Sequence, residues 1–246
     1  MVKIKLIIKK KHADLLVIPN FEKKVMRIII IALIFIGGVI AAYIITKPSD
    51  EKPLRIYNPI DIQPEMVDRD LIRVGFGHKI GQFEFVDQTG NTFQSSQLNG
   101  KVYVAEYFFT TCGTICPIMN GQMQRVQEAM KNEQDFTILS FTVDPEVDTV
   151  EQLNRYATAH NANPKQWHFL TGEKKNLYRL ARRNFFVLKP AEVKNQGDVG
   201  SDFIHTNHFV LVDQQARIRG YYDGTNPKEV NALIHDAKRL LIEKRN

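Results

Sequence analysis

The sequence predicts an α/β protein, a layered sheet with some antiparallel edge strands, preceded by one N-terminal transmembrane helix. Three observations carry this. From residue 83 onward, short runs rich in β-branched and aromatic residues alternate with amphipathic helical stretches, the pattern of a sheet with helices packed on it. Two pairs of short strands are each split by a turn, one by Asp87-Gln88-Thr89-Gly90-Asn91 and one between Val212 and Ile218, which reads as two added hairpins. Ile28 to Ile45 is a run of eighteen residues without a charge, about the length that crosses a hydrocarbon core.

The apolar run is expected to be an uncleaved anchor, because a signal peptide would be shorter and end in a small-residue cleavage site. Lys23, Lys24 and Arg27 precede it, while Lys47 on the other side is followed by Asp50 and Glu51. The positive-inside rule then puts the N-terminus in the cytoplasm and residues 47–246 on the periplasmic or extracytoplasmic side of the cell inner (plasma) membrane. The organisation expected is a basic tail over 1–27, an anchor over 28–46, a tether over 47–74 carrying Pro48, Pro53, Pro59 and Pro64, and a folded domain over 75–246. The chain's net charge is +6, and residues 1–27 hold eight basic side chains against Asp14 and Glu22. The rest is close to neutral, which gives no reason to propose nucleic-acid binding.

Within the folded part, Phe83–Val86 and Thr92-Phe93 form the first hairpin, and Val102 to Phe109 is a buried central strand. Pro117 suits the first helical position, with Met119, Met123, Val126 and Met130 following at helical spacing. Phe136 to Val143 is a second buried strand, and Asp148-Thr149-Val150-Glu151 caps a helix reaching about His160. Trp167 to Leu170 is a strand, Glu173 to Arg183 a helix, Phe209–Val212 and Ile218–Tyr222 the second hairpin, and Pro227 to Lys244 a closing helix.

The chain has two cysteines, Cys112 and Cys116, in Phe108-Phe109-Thr110-Thr111-Cys112-Gly113-Thr114-Ile115-Cys116-Pro117. They are too few to staple a scaffold, so the core is hydrophobic. Proline is tolerated only in a helix's first turn, which puts Cys116 at or just before the helix start and Cys112 in the preceding loop. A helix N-terminus favours thiolate, the form that attacks disulfides and binds soft metals. The loop Gly113-Thr114-Ile115 lets the two sulfurs turn toward each other, to close a disulfide or chelate one soft ion. Among His12, His78, His160, His168, His205, His208 and His235, only His205 and His208 stand where a loop enters a strand at one end of the sheet. Spacing alone does not separate a ligand there from a structural histidine.

The chain resembles the Sco/SenC proteins, membrane-anchored, thioredoxin-like copper proteins that help assemble cytochrome c oxidase. The resemblance lies in Gly77-His78-Lys79-Ile80 with the Phe83 hairpin, Phe108 to Pro117, Val143-Asp144-Pro145 followed by Asp148-Thr149, and His205 to Gly224. It implies a thioredoxin-like fold with extra β-hairpins. It also implies copper, Cu(I) or Cu(II), on Cys112, Cys116 and His205. His205 is taken over His208 because it stands four residues before the aromatic Phe209, and His208 is then structural. Asp144 is expected to support the site from outside. The partner implied is the copper-bearing subunit of cytochrome c oxidase or its assembly factors, to which the protein delivers copper or whose cysteines it prepares. Gly113 departs from the family's usual proline and should leave the loop more flexible.

The rival reading is a thiol-disulfide oxidoreductase acting through Cys112 and Cys116 as a redox-active pair. Against it, thioredoxin-type enzymes separate their cysteines by two residues and keep a proline where this chain has Ile204-His205-Thr206-Asn207. A peroxidase would carry threonine three residues before its reactive cysteine, where Phe109 and Gly113 stand. A structural zinc site would close with four ligands. Met119 and Met123 are expected in the core rather than on the metal.

Overall fold

A computed structural model describes residues 20–46, 52–73, 75–187 and 206–243. Helix α1 spans Asn20–Thr46 and belongs to a unit of its own, residues 1–52. Its stretch Lys24–Tyr43 is 20 residues long and apolar enough to cross a membrane, with none of it buried.

The second unit, residues 53–246, contains α2 (Arg69–Ile72), β1 (Glu84–Asp87), β2 (Thr92–Gln94), β3 (Val102–Phe108), α3 (Cys116–Ala129), β4 (Phe136–Thr142), α4 (Val150–Ala159), β5 (Trp167–Thr171), α5 (Lys174–Arg183), β6 (His208–Val212), β7 (Ile218–Asp223) and α6 (Pro227–Glu243). The strands form one sheet in the order β2-β1-β5-β4-β3-β6-β7. β3 pairs with β4, and β4 with β5, in parallel, while β1 and β6 join antiparallel at either side. The expected order of elements and the antiparallel edges are therefore present. Every residue of β3 and β4 is buried, which is why both read as continuous apolar runs instead of alternating ones.

Side chains alternate between the faces of a strand, so the sheet carries two cores. Val102, Val104 and Phe108 of β3 pack with Met119, Met123 and Val126 of α3, Leu153 of α4 and Leu233 and Leu240 of α6. Tyr103, Ala105 and Tyr107 face the other way, against Leu177 and Leu180 of α5 and against Phe85 and Phe93 of the first hairpin. Met119 and Met123 are 1% and 0% exposed, as core residues should be. Thr149 caps α4, its hydroxyl accepting from Gln152 N at 3.3 Å.

One expectation needs correction. From Pro53 the proline-bearing segment is not an extended tether but a coat on the domain. Tyr57 N donates to Ile218 O at 2.9 Å, and Arg219 donates to Leu54 O at 2.8 Å and Arg55 O at 3.2 Å. Asn58 Oδ1 accepts from Gly77 N at 2.9 Å, and Val67 is 2% exposed in the α5-side core. The prolines are accommodated because Pro59 and Pro64 each open a short 3-10 turn, where a missing N–H costs nothing.

Candidate functional site

β3 delivers the chain to the site. Val143 N donates to Phe108 O at 2.9 Å, and Cys112 N closes a turn onto Phe109 O at 3.2 Å. α3 begins at Cys116 with Pro117 second, so Cys116 lies in the helix's first turn and Cys112 in the loop before it. Both are free thiols, 8% and 4% exposed, beneath the exposed residues Thr111, Gly113 and Thr114. A Cβ built on Gly113 would meet nothing within 4 Å, so this position does not require glycine. Its effect is on the loop's freedom, not its shape.

The sulfurs converge. Burial alone would raise the Cys112 thiol, but hydrogen bonds from the Cys116 thiol and from the backbone of Thr114 and Cys116 outweigh it and lower it to about 7. Cys116 is pushed up to about 12, first by burial, then by donating to Cys112 and by the negative charges of Cys112 and Glu106. Around neutral pH the outer sulfur therefore gives up its proton while the inner one keeps its own, a thiolate-prone sulfur beside a thiol.

Three groups near the loop, two of them buried and Tyr156 partly so, were not singled out from the sequence as part of the site. Asp148 is 0% exposed and accepts from Thr110 N at 3.2 Å, and from the Thr110 and Thr142 hydroxyls at 2.5 Å each. It thus pins the residue two before Cys112 to the start of α4. Glu106, 0% exposed on β3, accepts from Ser140 Oγ at 2.6 Å. Tyr156 on α4 accepts from Asn120 on α3, and its hydroxyl is held un-ionised, first by burial and then by charge on Cys116 and Glu106. A signal for Glu106 existed: it is the one acidic residue inside the apolar run Val102 to Phe109. Asp144 acts as a turn former, its carbonyl accepting from Val147 N at 3.2 Å and Asp148 N at 2.8 Å.

His205 lies outside the described residues. His208 is exposed at the start of β6, with Nδ1 3.2 Å from Thr206 Oγ1. The other described histidines are engaged elsewhere: His78 Nε2 lies 2.8 Å from Asn184 O, His160 Nδ1 2.8 Å from Tyr156 O, the His168 ring 4.7 Å from that of Phe93, and His235 Nδ1 3.4 Å from Asp236 Oδ1. Among the described residues no group of three or more His, Cys, Asp or Glu side chains is placed to hold a metal. Two soft sulfurs turned to one point nevertheless fit part of a copper donor set.

Comparison with known proteins gives a consistent picture. A Bacillus subtilis (strain 168) protein described as an SCO1 protein homolog is 32% identical over 169 residues, 68% of this chain and 85% of its own length. A putative copper-binding protein of Stutzerimonas stutzeri is 29% identical over 144 residues, 58% of this chain and 68% of its own. The solved structure of BsSco, in which a disulfide switch was identified and which belongs to the Sco family of cytochrome c oxidase assembly proteins, matches with a TM-score of 0.56. It is 31% identical and covers 67% of this chain and 94% of that one. The fold is accordingly the thioredoxin-like one of the Sco structures. The SCO1/SenC family model matches residues 75–241, and the chain belongs to that family.

Proposed function

We propose that this protein is a membrane-anchored copper carrier that serves cytochrome c oxidase assembly, holding copper as cargo on Cys112, Cys116 and His205. The observation that carries the reading is the convergence of two buried sulfurs at a helix start, one of them thiolate-prone near neutral pH. Soft thiolates hold Cu(I), and an imidazole makes the set acceptable to Cu(II), so one site can take both states. Three protein ligands leave an open side for hand-over to a partner. A copper-binding relative and an oxidase-assembly relative support the assignment. The apolar run Lys24–Tyr43 supports an anchor, and Lys23, Lys24 and Arg27 support an N-terminus inside with residues 47–246 on the extracytoplasmic side.

A second reading, thiol-disulfide exchange by the same pair, is favoured by the split between Cys112 at about 7 and Cys116 at about 12. A thiolate near ambient pH backed by a protonated partner suits attack on a target disulfide. Full-length protein in detergent, reduced without oxygen and given copper in each oxidation state, separates the two. About one copper per chain is expected, with sulfur-to-metal absorption that is lost in Cys112→Ala and His205→Ala. Undiminished binding by His205→Ala would refute the three-ligand set. Rapid disulfide reduction with no copper uptake would hand the pair to the enzyme reading.

A further inference from the structure

Phe76 is the most exposed large apolar side chain among the described residues, at 79%, more than any residue of the apolar helix α1. It is not displayed by a loose stretch of chain. Gly75 and Gly77 flank it with φ of +66° and +91°, conformations that a residue with a Cβ rarely takes. Gly77 N and His78 N both donate to Asn58 Oδ1, at 2.9 and 3.2 Å. The fold thus holds an aromatic ring out into water, where burial would be favoured. Two isoleucines lie beside it. Ile60 is 58% exposed in the 3-10 turn that follows Asn58, α2 packs against that turn, and Ile72 of α2 is 38% exposed.

The charges left over beside these residues are mostly of one sign. Asp61 is paired with Arg55, Asp68 with Arg182 and Arg183, and Asp70 with Arg183. Exposed Arg69, Arg73 and Lys79 have no ion-pair partner among the described residues, and Glu65 is the one acid of residues 53–80 in that state. The face also has a fixed place in the fold. Tyr103 near the start of β3 is in register with Val212 of β6, and Val212 with Ile218 of β7, which is bridged to Tyr57. Asn58 and the turn after it therefore sit at the end of the sheet where β3 begins, whereas Cys112 follows the end of β3. Along the chain, residues 47–52 alone connect α1 to Pro53, and seven peptide links reach at most about 25 Å.

Resting on the reading of α1 as an anchor, we propose that the face of Ile60, Ile72 and Phe76 docks on the surface of an anionic bilayer, the one in which α1 is set. The three apolar side chains enter the boundary between headgroups and acyl chains, and Arg69, Arg73 and Lys79 meet the lipid phosphates. A bilayer is favoured over a protein partner on two grounds. The short connection keeps it always within reach, and apolar tips among unpaired cations match the two layers of that boundary. The cysteine loop, at the other end of the sheet, is then held away from the lipid, toward an arriving partner.

Tryptophan fluorescence tests this, since the chain's one tryptophan, Trp167, is 0% exposed and gives a constant background. Full-length Phe76→Trp is reconstituted in vesicles of phosphatidylglycerol and phosphatidylcholine with brominated acyl chains. The added emission should shift to the blue and fall by about half, as for a ring at the acyl boundary. Ile118→Trp, in the first turn of α3 beside the cysteines, should not be quenched. Adding Arg69→Gln, Arg73→Gln or Lys79→Gln to Phe76→Trp should lower the docked-to-free ratio about fivefold each. Should the tryptophan variants fail to fold, amide exchange of the unaltered chain decides: the amides over 59–77 must exchange more slowly in these vesicles than in phosphatidylcholine alone, and equal exchange overturns the proposal. Emission of Phe76→Trp that bromine leaves unchanged also overturns it, and so does equal quenching of Ile118→Trp. Shielding of Phe76→Trp from acrylamide without bromine quenching would give the face to a protein instead. Alkaline carbonate separates the two readings. A chain that carbonate strips from the vesicles is not anchored, and both readings fall; a chain that stays but is not quenched loses the docking alone.

Discussion

Glu106 on β3 and Asp213 in the turn after β6 are both 0% exposed, and they are treated in opposite ways. Asp213, in the turn after β6, is 0% exposed and fully occupied. Oδ1 accepts from the backbone of Gln215 and Arg217 at 3.0 Å each, and Oδ2 takes Arg217 Nε at 2.8 Å and Arg219 Nη1 at 2.9 Å. Burial alone would raise it, but the two guanidiniums more than offset that and hold it below its usual range. Glu106, equally buried, has one hydroxyl donor and an open oxygen, and is pushed up to about 7. Asp213 is an ion locked into structure, whereas Glu106 is left able to change its charge. The locked ion fastens residues 54–57 to β7, while the unlocked one shares a face with the cysteine pair.

Asp213→Ala should break this contrast most visibly. It strands Arg219, 5% exposed, with its backbone acceptors but without its buried counter-ion. Removing one partner of such a pair costs about 3–5 kcal/mol, read as a drop in the denaturant midpoint. The coat formed by residues 53–57 should loosen with it, since Arg219 holds the Leu54 and Arg55 carbonyls. A loss under about 1 kcal/mol would show that the surface, not the ion pair, holds that coat.

The pH dependence sharpens the comparison next, because the two acids have opposite signs. Glu106 rises from 4.5 in the unfolded chain to about 7 when folded. The native state then binds the extra proton between these values, so stability falls as pH climbs through that window. The full difference is about 3 kcal/mol. Asp213, held below 3.8, contributes stability at higher pH that is lost only as the solution falls through that value. Glu106→Gln should therefore flatten the wild-type decline between pH 4.5 and 7 and leave the acid limb alone. Denaturant melts across pH measure both limbs, and an unchanged neutral slope in Glu106→Gln would remove the contrast.

Much of the fold was legible because its signals are local and redundant. Two continuous apolar runs became β3 and β4, Thr149 became an N-cap, and Pro117 placed the start of α3. The coat over 53–73 was not legible, since Pro59 and Pro64 suit an extended tether as well as a 3-10 turn. Only the pairing of Tyr57 with Ile218, far along the chain, decides between them. The loop's geometry around Cys112 and Cys116 could be read from one proline. Its support could not, because Asp148 reads as a helix cap and Glu106 as one polar residue in a strand until the fold places each under the loop. The choice of His205 over His208 came only through the resemblance.

Asp148 lies between the two extremes and carries the smallest expected effect. Like Asp213 it accepts several hydrogen bonds, yet every donor is neutral: Thr110 N, the Thr110 hydroxyl and the Thr142 hydroxyl. Burial therefore prevails and raises its pKa. Asp148→Asn keeps the shape but turns one acceptor into a donor. One threonine hydroxyl can reverse to meet the new N–H, although Thr142 Oγ1 already accepts from Asp144 N at 2.9 Å and Thr110 Oγ1 from Gln152 Nε2 at 3.1 Å. The net cost should be about 1–2 kcal/mol. It should fall on the segment from Thr110 to Cys116, raising amide exchange there while β3 stays protected. A uniform rise across the sheet would instead make Asp148 a structural lock like Asp213, and the division between a rigid end and a chargeable end of the sheet would not hold.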